Sequence, residues 1–479
     1  MTAFHPLDLP NVLVGTGGRL VGVLSSDTRF RSVERDARAV QSGDLFVAIE
    51  GERFDGHAFV ADAAANGAAA ALVRRSWASE HDPTSLPLVV VPDEPVGGLQ
   101  RLARWWRERL PLTVVGITGS VGKTSVKEVA GAILARRFVV YKSPGNLNNE
   151  IGLPLSLLET TPETEVAVLE MGGAYAFGDL TLLASIAHPK VGLVLNIHPV
   201  HLERMGTIEA IAETKAELVD ALPADGIAVL NGDDFRVRAM APRSRGRVLF
   251  FGLGPDNDVR ATAVVDRGID GVAFTLRIGD RAWPVETPMV GAHAPMVALA
   301  GLATGHALGL APDEMIPALA DREIQIRVRF LPGPGGSRLI DDTYNASPPS
   351  VLSALGVLAA STGRRVAVLG DMRELGDRSE LEHRAVGRRA AEIADLVVTL
   401  GEEARVLAQE AGRGVDGRGP AVASFGADEK DDLTDFLRRE LGAGDVVLLK
   451  GSRGLRMETV VAALAEPPPA VVTAGSPGG

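Results

Sequence analysis

The chain has 479 residues, 46% of them hydrophobic and 23% charged, the make-up of a folded protein of about three domains. Its 49 lysines and arginines stand against 61 aspartates and glutamates, a formal charge of −12, which argues against a nucleic-acid backbone or an anionic membrane as the main partner. Cysteine is absent, so disulfides, thiolate zinc sites and cysteine nucleophiles are excluded, and any metal must be held by oxygen or imidazole.

The first residues, MTAFHPLDLPNVL, lack the basic and apolar regions of a secretory signal, and no stretch approaches the ~20 apolar residues of a membrane helix. The expected setting is the cytoplasm. Within residues 1–110, strand-like runs at Leu45–Ile49 and Leu88–Val91 flank an alanine-rich helix predicted over Phe59–Ala71. An arginine-rich helix follows over Leu99–Leu110. Pro111 marks a boundary.

From Leu112 the pattern becomes strand, glycine turn and helix, the βα unit of a parallel sheet. Nearly all-apolar runs at Val166–Met171, Val191–Ile197, Gly226–Asn231 and Val248–Gly252 read as strands covered on both faces. VRATAVV, VAFTLRI and AWPVETP read as antiparallel strands. A third unit, residues 327–465 after a second unit of 111–326, has strands at Arg338–Asp342, Val366–Gly370, Leu396–Leu400 and Val446–Gly451. The tail from Glu466, EPPPAVVTAGSPGG, reads as disordered.

The chemistry collects at strand ends. Thr118–Ser125, TGSVGKTS, is a glycine turn entering a helix, where backbone N–H groups of Gly119, Ser120, Val121, Gly122 and Ser125 can surround phosphate oxygens. Lys123 would neutralise phosphates and Thr124 would offer a hydroxyl to magnesium. Glu170 closes an apolar strand, and His201 follows another by four residues; both are candidate metal ligands. Lys215 shares the apolar stripe of a helix expected over Thr207–Leu222 and so points inward. Two readings of it stand: a snorkelling or ion-paired lysine, or an amine made neutral by burial that takes up carbon dioxide as a carbamate and holds a metal. In the third unit, DDTYNASPPS (Asp341–Ser350) and KGSRG (Lys450–Gly454) each follow a strand. Two α/β sites on separate domains suggest a reaction completed by closure, with hinges near Pro111 and Ile326–Leu331.

Together TGSVGKTSVKE, GNLNNEIGLPLSLL, EMGG, HLERMG, the Lys215 helix, VLNGDD, IDDTYNASPPSVLSAL, VLGDMRELG and KGSRGLRME resemble the Mur ligase family. Within it they resemble the members that add D-alanyl-D-alanine to UDP-N-acetylmuramoyl-tripeptide, and SSDTRFRS and SGDLFVAIEGERFDGHAFV extend the resemblance over almost the whole chain except the tail.

The resemblance implies three domains: a small N-terminal α/β substrate domain, a central P-loop-type ATPase domain and a C-terminal Rossmann-like domain. It implies a monomeric ATP-dependent ligase of cytoplasmic peptidoglycan synthesis that works through an acyl phosphate and binds no nucleic acid. Lys123 and Thr124 would hold ATP phosphates and a first magnesium; Glu170, His201 and carbamylated Lys215 would serve two metal sites. Asn148 and Asn149 would lie near the γ-phosphate. Arg327, or the nearby Arg329, would reach ATP phosphates. Asp342 and Tyr344 would face the nucleotide, and Asn345, Ser347, Lys450 and Arg453 the acyl phosphate and dipeptide. Asp27, Thr28, Arg29, Asp44, Asp55, Gly56 and His57 would meet the uridine diphosphate. One departure stands out: where the family has H-N-x-x-N beside adenine, GAHAPMVALA places Ala294 and Val297 after His293. A related ligase of altered amine or acceptor, or a silent nucleotide-sugar sensor, are the competing expectations.

Overall fold

The computed structural model describes residues 5–51, 54–80, 86–173, 176–199, 205–268, 271–320, 329–373, 375–414 and 419–466. The chain divides into two compact units: Met1–Ile197 with Glu209–Asp258 and Ala300–Met315, and His198–Ile208 with Val259–Leu299 and Ile316–Gly479.

The first unit holds two sheets. In the smaller, β1 (Arg19–Val21), β2 (Val33–Glu34), β3 (Leu45–Val47), β4 (Ala70–Arg74) and β5 (Leu88–Val91) lie in the order β1-β5-β4-β3-β2. Only the β1–β5 pairing is antiparallel. The alanine-rich segment departs from expectation: its helix covers only Val60–Ala65, and Ala70 and Ala71 belong to β4. Gly67, at φ +98°, turns the chain out of the helix, and the AALVR run that follows packs as a buried strand. Alanine's helix preference is worth only tenths of a kcal/mol per residue, too little to outweigh that burial.

The helix Pro95–Arg107 begins with a proline at its first position, where no N–H is lost. Its buried Leu99, Leu102, Ala103 and Trp106 join one core with Leu72, Val89 and Val91 of the smaller sheet, with Leu153, Leu157, Leu183 and Ile186 of the helices Gly152–Leu158 and Asp179–Ala187, and with Val114, Ala167 and Leu169 of the larger sheet. Trp106 Nε1 donates to the Thr160 carbonyl at 3.0 Å. This helix therefore fastens one sheet to the other.

The larger sheet runs β11 (Arg247–Gly252), β10 (Ile227–Asn231), β9 (Val191–Val194), β6 (Thr113–Thr118), β8 (Val166–Glu170), β7 (Val140–Lys142), all parallel. Thr118 and Glu170 lie at the carboxyl ends of adjacent strands, where open parallel sheets gather ligands.

In the second unit β12 (Val259–Asp266), β13 (Val272–Ile278) and β14 (Arg281–Thr287) form the expected antiparallel meander. A six-stranded sheet follows: β15 (Arg329–Pro332), β16 (Arg338–Asp341), β20 (Val446–Lys450), β17 (Arg365–Gly370), β18 (Leu396–Leu400), β19 (Ala421–Phe425), parallel apart from the β15–β16 pair. Strands β1, β2, β7, β15 and β19 are short, only partly buried elements that apolar runs do not announce. Among the described residues no helix is long and apolar enough to cross a membrane. The tail beyond Glu466 lies outside the described residues.

Candidate active site

The strand TVVGIT ends in a turn from which the helix Lys123–Leu134 departs. Gly122 precedes that helix at φ +87°, and a Cβ on Gly119 would come within 2.8 Å of Leu195 Cβ, so both positions require glycine. Asn196 laces the turn in place: its Oδ1 accepts the Val121 N–H at 3.0 Å and its Nδ2 donates to the Val121 carbonyl at 3.1 Å. The Ser120 N–H donates to the Asn196 carbonyl at 3.0 Å. The NGDD segment steadies this brace, with Asn231 donating to the Leu195 carbonyl and Asp234 accepting the Ile197 N–H. Lys123 Nζ donates to the Gly119 carbonyl at 2.7 Å, spanning the turn. Ser125 is half-buried in the first helical turn.

Glu170 is buried where the other motifs meet. One carboxylate oxygen accepts the Thr124 hydroxyl at 2.9 Å and the other accepts the Asn148 amide at 2.9 Å. Its backbone N–H donates to Ser143 Oγ at 3.2 Å. Asn149 Oδ1 accepts the Gly152 N–H at 2.9 Å at the start of the helix Gly152–Leu158.

Lys215 is 3% exposed on the helix Ile208–Asp220. Its Nζ donates to the Gly172 carbonyl at 2.7 Å and to that of Gly173, and among the described residues no carboxylate forms an ion pair with it. Burial pushes its ammonium well below the ordinary lysine value and the Lys123 charge adds to this, while Asp179 and Glu217 pull the other way. Glu217, two residues on, accepts the N–H groups of Gly178 and Thr181 at 2.7 and 2.8 Å. That buried carboxylate lies off the apolar stripe, so periodicity did not reveal it.

Magnesium fits this donor set. By donating its proton to Glu170, Thr124 keeps its oxygen lone pairs for a cation, and a single carboxylate suits an ion that retains waters and phosphate oxygens. Among the described residues no cluster of three His, Asp or Glu gathers. His201 and Arg327 lie outside the described residues.

The second unit builds its own site at the ends of β16 and β20. Lys450, 2% exposed, donates to Asp342 at 2.7 Å and to the Asn345 carbonyl at 2.9 Å. The Arg453 N–H donates to Asn345 Oδ1, and its guanidinium lies 5.3 Å from the Tyr344 ring centroid. Ser347 caps the helix Pro348–Ala359. Arg329 is held by Asp341 through two hydrogen bonds, 2.6 Å the shorter. Ala294 is buried at the start of the helix Ala294–Ala307.

The N-terminal candidates separate by burial. Asp27 and Arg29 are exposed and Thr28 half-buried, with Arg29 paired to Asp8 at 2.6 Å. Asp44, by contrast, is fully buried. Burial alone would raise its carboxyl, but hydrogen bonds from Arg31, Gln41 and Ser32 offset this and hold it low. His57 has Asp55 on one ring nitrogen and the Arg74 N–H on the other. A Cβ on Gly56 would lie 2.6 Å from the Ile49 backbone. Asp44 and His57 therefore lie within the lobe, whereas the Asp55 side chain is 38% exposed.

The family profile for the Mur ligase middle domain matches residues 117–305, that for the Mur ligase glutamate ligase domain residues 326–453, and that for the Mur ligase family catalytic domain residues 29–93. A UDP-N-acetylmuramoyl-tripeptide–D-alanyl-D-alanine ligase from Bacillus subtilis is 33% identical, covering 96% of this chain and 98% of its own. The Escherichia coli enzyme of that name is 36% identical over 92% and 95%. A MurF crystal structure from Acinetobacter baumannii superposes with a TM-score of 0.81 at 31% identity, covering 94% of this chain and 97% of its own. MurF ligase from Thermotoga maritima in complex with ADP gives 0.75 at 32%, covering 90% and 96%.

Proposed function

The chain belongs to the Mur ligase family, and from that premise we propose how its residues carry out the D-alanyl-D-alanine-adding reaction. It is an ATP-dependent, ADP-forming ligase joining D-alanyl-D-alanine to UDP-N-acetylmuramoyl-tripeptide. The reaction belongs to peptidoglycan precursor synthesis, which we place in the cytoplasm. The observation that carries the mechanism is the convergence of Thr124 and Asn148 on Glu170 beside the phosphate turn.

The terminal carboxylate of the tripeptide attacks the γ-phosphorus; a carboxylate oxygen–phosphorus bond forms, the bond to the bridging oxygen breaks, and ADP leaves. The dipeptide amine then attacks the acyl carbon, phosphate departs, and the amine proton is released to solvent or base. Carboxylate and triphosphate repel each other, so positive charge must bring them together. Lys123 and the N–H groups of the turn supply it from the protein. Thr124 and Glu170 would hold one magnesium, His201 and a carbamate on Lys215 a second; when bound, the metal screens that repulsion. Burial and the Lys123 charge, which push Nζ toward its neutral form, support carbamate formation, in which neutral Nζ bonds to the carbon of carbon dioxide and loses a proton.

We further propose three working segments, residues 1–110 for the uridine diphosphate-linked peptide, 111–326 for ATP and 327–465 for the remaining nucleotide and dipeptide contacts. Asp27, Thr28 and Arg29 are the accessible contacts of the first. In the third, Asp342, Asn345, Lys450 and Arg453 form one hydrogen-bonded cluster beside the Tyr344 ring, with Arg327 or Arg329 reaching the phosphates. Ala294 and Val297 leave adenine to other groups, with backbone contacts, a relaxed preference among nucleoside triphosphates or weaker binding as the readings. With tripeptide, ATP and magnesium but no dipeptide, hydroxylamine should yield a tripeptide hydroxamate; its absence while full turnover persists would rule out the acyl phosphate.

A further inference from the structure

Lys127 is the largest buried charge near the site that the mechanism leaves unused. It lies one turn after Thr124 on the same helix, with a relative exposure of 0%, and such a cation is costly without partners. Its Nζ donates to the Ser143 carbonyl at 2.5 Å and the Gly145 carbonyl at 3.1 Å; the Glu128 carboxylate is farther, at 3.6 Å. Both carbonyls belong to the SPGNLNN segment. Ser143 is also the residue whose Oγ accepts the Glu170 N–H, and Asn148, five residues on, holds the Glu170 side chain.

We propose that Lys127 is a positioning residue for Glu170. It clamps the backbone at Ser143 and Gly145, and through Ser143 Oγ and the Asn148 amide this fixes where the carboxylate stands relative to Thr124. One helix thus presents the phosphate lysine, the hydroxyl that meets Glu170 and the cation that holds the segment around it. Removing the ammonium leaves two carbonyls without their donor and loosens the segment at Ser143 and Gly145, while the Asn148 carbonyl keeps the Gly172 N–H at 2.7 Å.

The proposal rests on Glu170 as a magnesium ligand, so Glu170→Ala is the reference: an unaltered magnesium requirement there would refute that reading rather than this one. Given a shifted requirement in the reference, Lys127→Met should raise the magnesium concentration for half-maximal ADP release about 10- to 100-fold, the usual effect of losing a group that orients a metal ligand. Because the chain has no cysteine, Lys127→Cys introduces a unique thiol. Alkylated with 2-bromoethylamine in denaturant and refolded, it regains an amine at the same reach and should return the magnesium requirement to within about threefold, whereas iodoacetamide should not. Ser143→Ala, which deletes only the hydroxyl, should shift the requirement in the same direction even if the lysine variants fold poorly, and its effect should be non-additive with Lys127→Met. A wild-type magnesium requirement in folded Lys127→Met, or in Ser143→Ala where Lys127→Met does not fold, would overturn the proposal. So would aminoethylation that restores thermal stability without restoring the requirement.

Discussion

Lys215 makes the sharpest demand on its surroundings. Burial almost wholly out of water, and then the Lys123 charge, push its ammonium well below the ordinary lysine value, toward the neutral amine that reaction with carbon dioxide requires. Lys215→Ala should lose most ADP-release activity, and added short carboxylates should partly restore it by standing where the carbamate stood; an unaltered rate in that variant would refute the carbamate. Stability carries a second signature. Because the folded-state value lies below the ordinary 10.5, the unfolded chain binds more protons between the two values, so stability rises with pH across that interval and the penalty is full below it. Without added carbon dioxide, the thermal midpoint of the wild type relative to Lys215→Met should therefore climb as pH rises toward the ordinary lysine value. A difference flat in pH would contradict the depressed value. Lys215 was legible because it interrupts an apolar stripe, whereas Lys127 and Glu217 were not: their importance comes from backbone groups distant in sequence, which no periodicity displays.

At the scale of elements, the phosphate turn is a strand, a brace and a helix, and only the first and last were visible in the sequence. TVVGIT and the helix after GKT declare themselves by apolar runs and glycine. The brace through Asn196, Asn231 and Asp234 depends on side chains meeting across neighbouring parallel strands. Gly119→Ala should raise the KM for ATP at least tenfold, because its Cβ would press on Leu195 and shift the turn from the phosphates; an unchanged KM would mean the turn does not hold the nucleotide. The alanine-rich segment is not helical over Ala68–Ala71 for a related reason, since burial in the smaller sheet outweighs the helix preference of its composition. The helix Pro95–Arg107 owes its place to a clear stripe of Leu99, Leu102 and Trp106. Replacing Trp106 by alanine should cost about 3–5 kcal/mol, read as a lowered denaturation midpoint. A loss below about 1 kcal/mol would mean the two sheets are not fastened there.

Over the whole molecule, the parallel-sheet architecture was readable from alternating apolar strands and helices, because both faces of such sheets must be covered. The chemistry was readable from motifs at strand ends. What the sequence did not display was how some candidates are partnered within the protein: His57, Asp44 and Asn149, expected as ligand contacts, also hydrogen-bond to neighbouring residues. The phosphate turn and the Lys450 cluster lie in different units. The central claim is tested most directly by following ADP release from purified protein with magnesium, ATP and UDP-N-acetylmuramoyl-tripeptide, with either D-alanyl-D-alanine or single amino acids as the amine. The predicted result is turnover with the dipeptide alone; turnover with a single amino acid in its place, or no ADP under any condition, would contradict it.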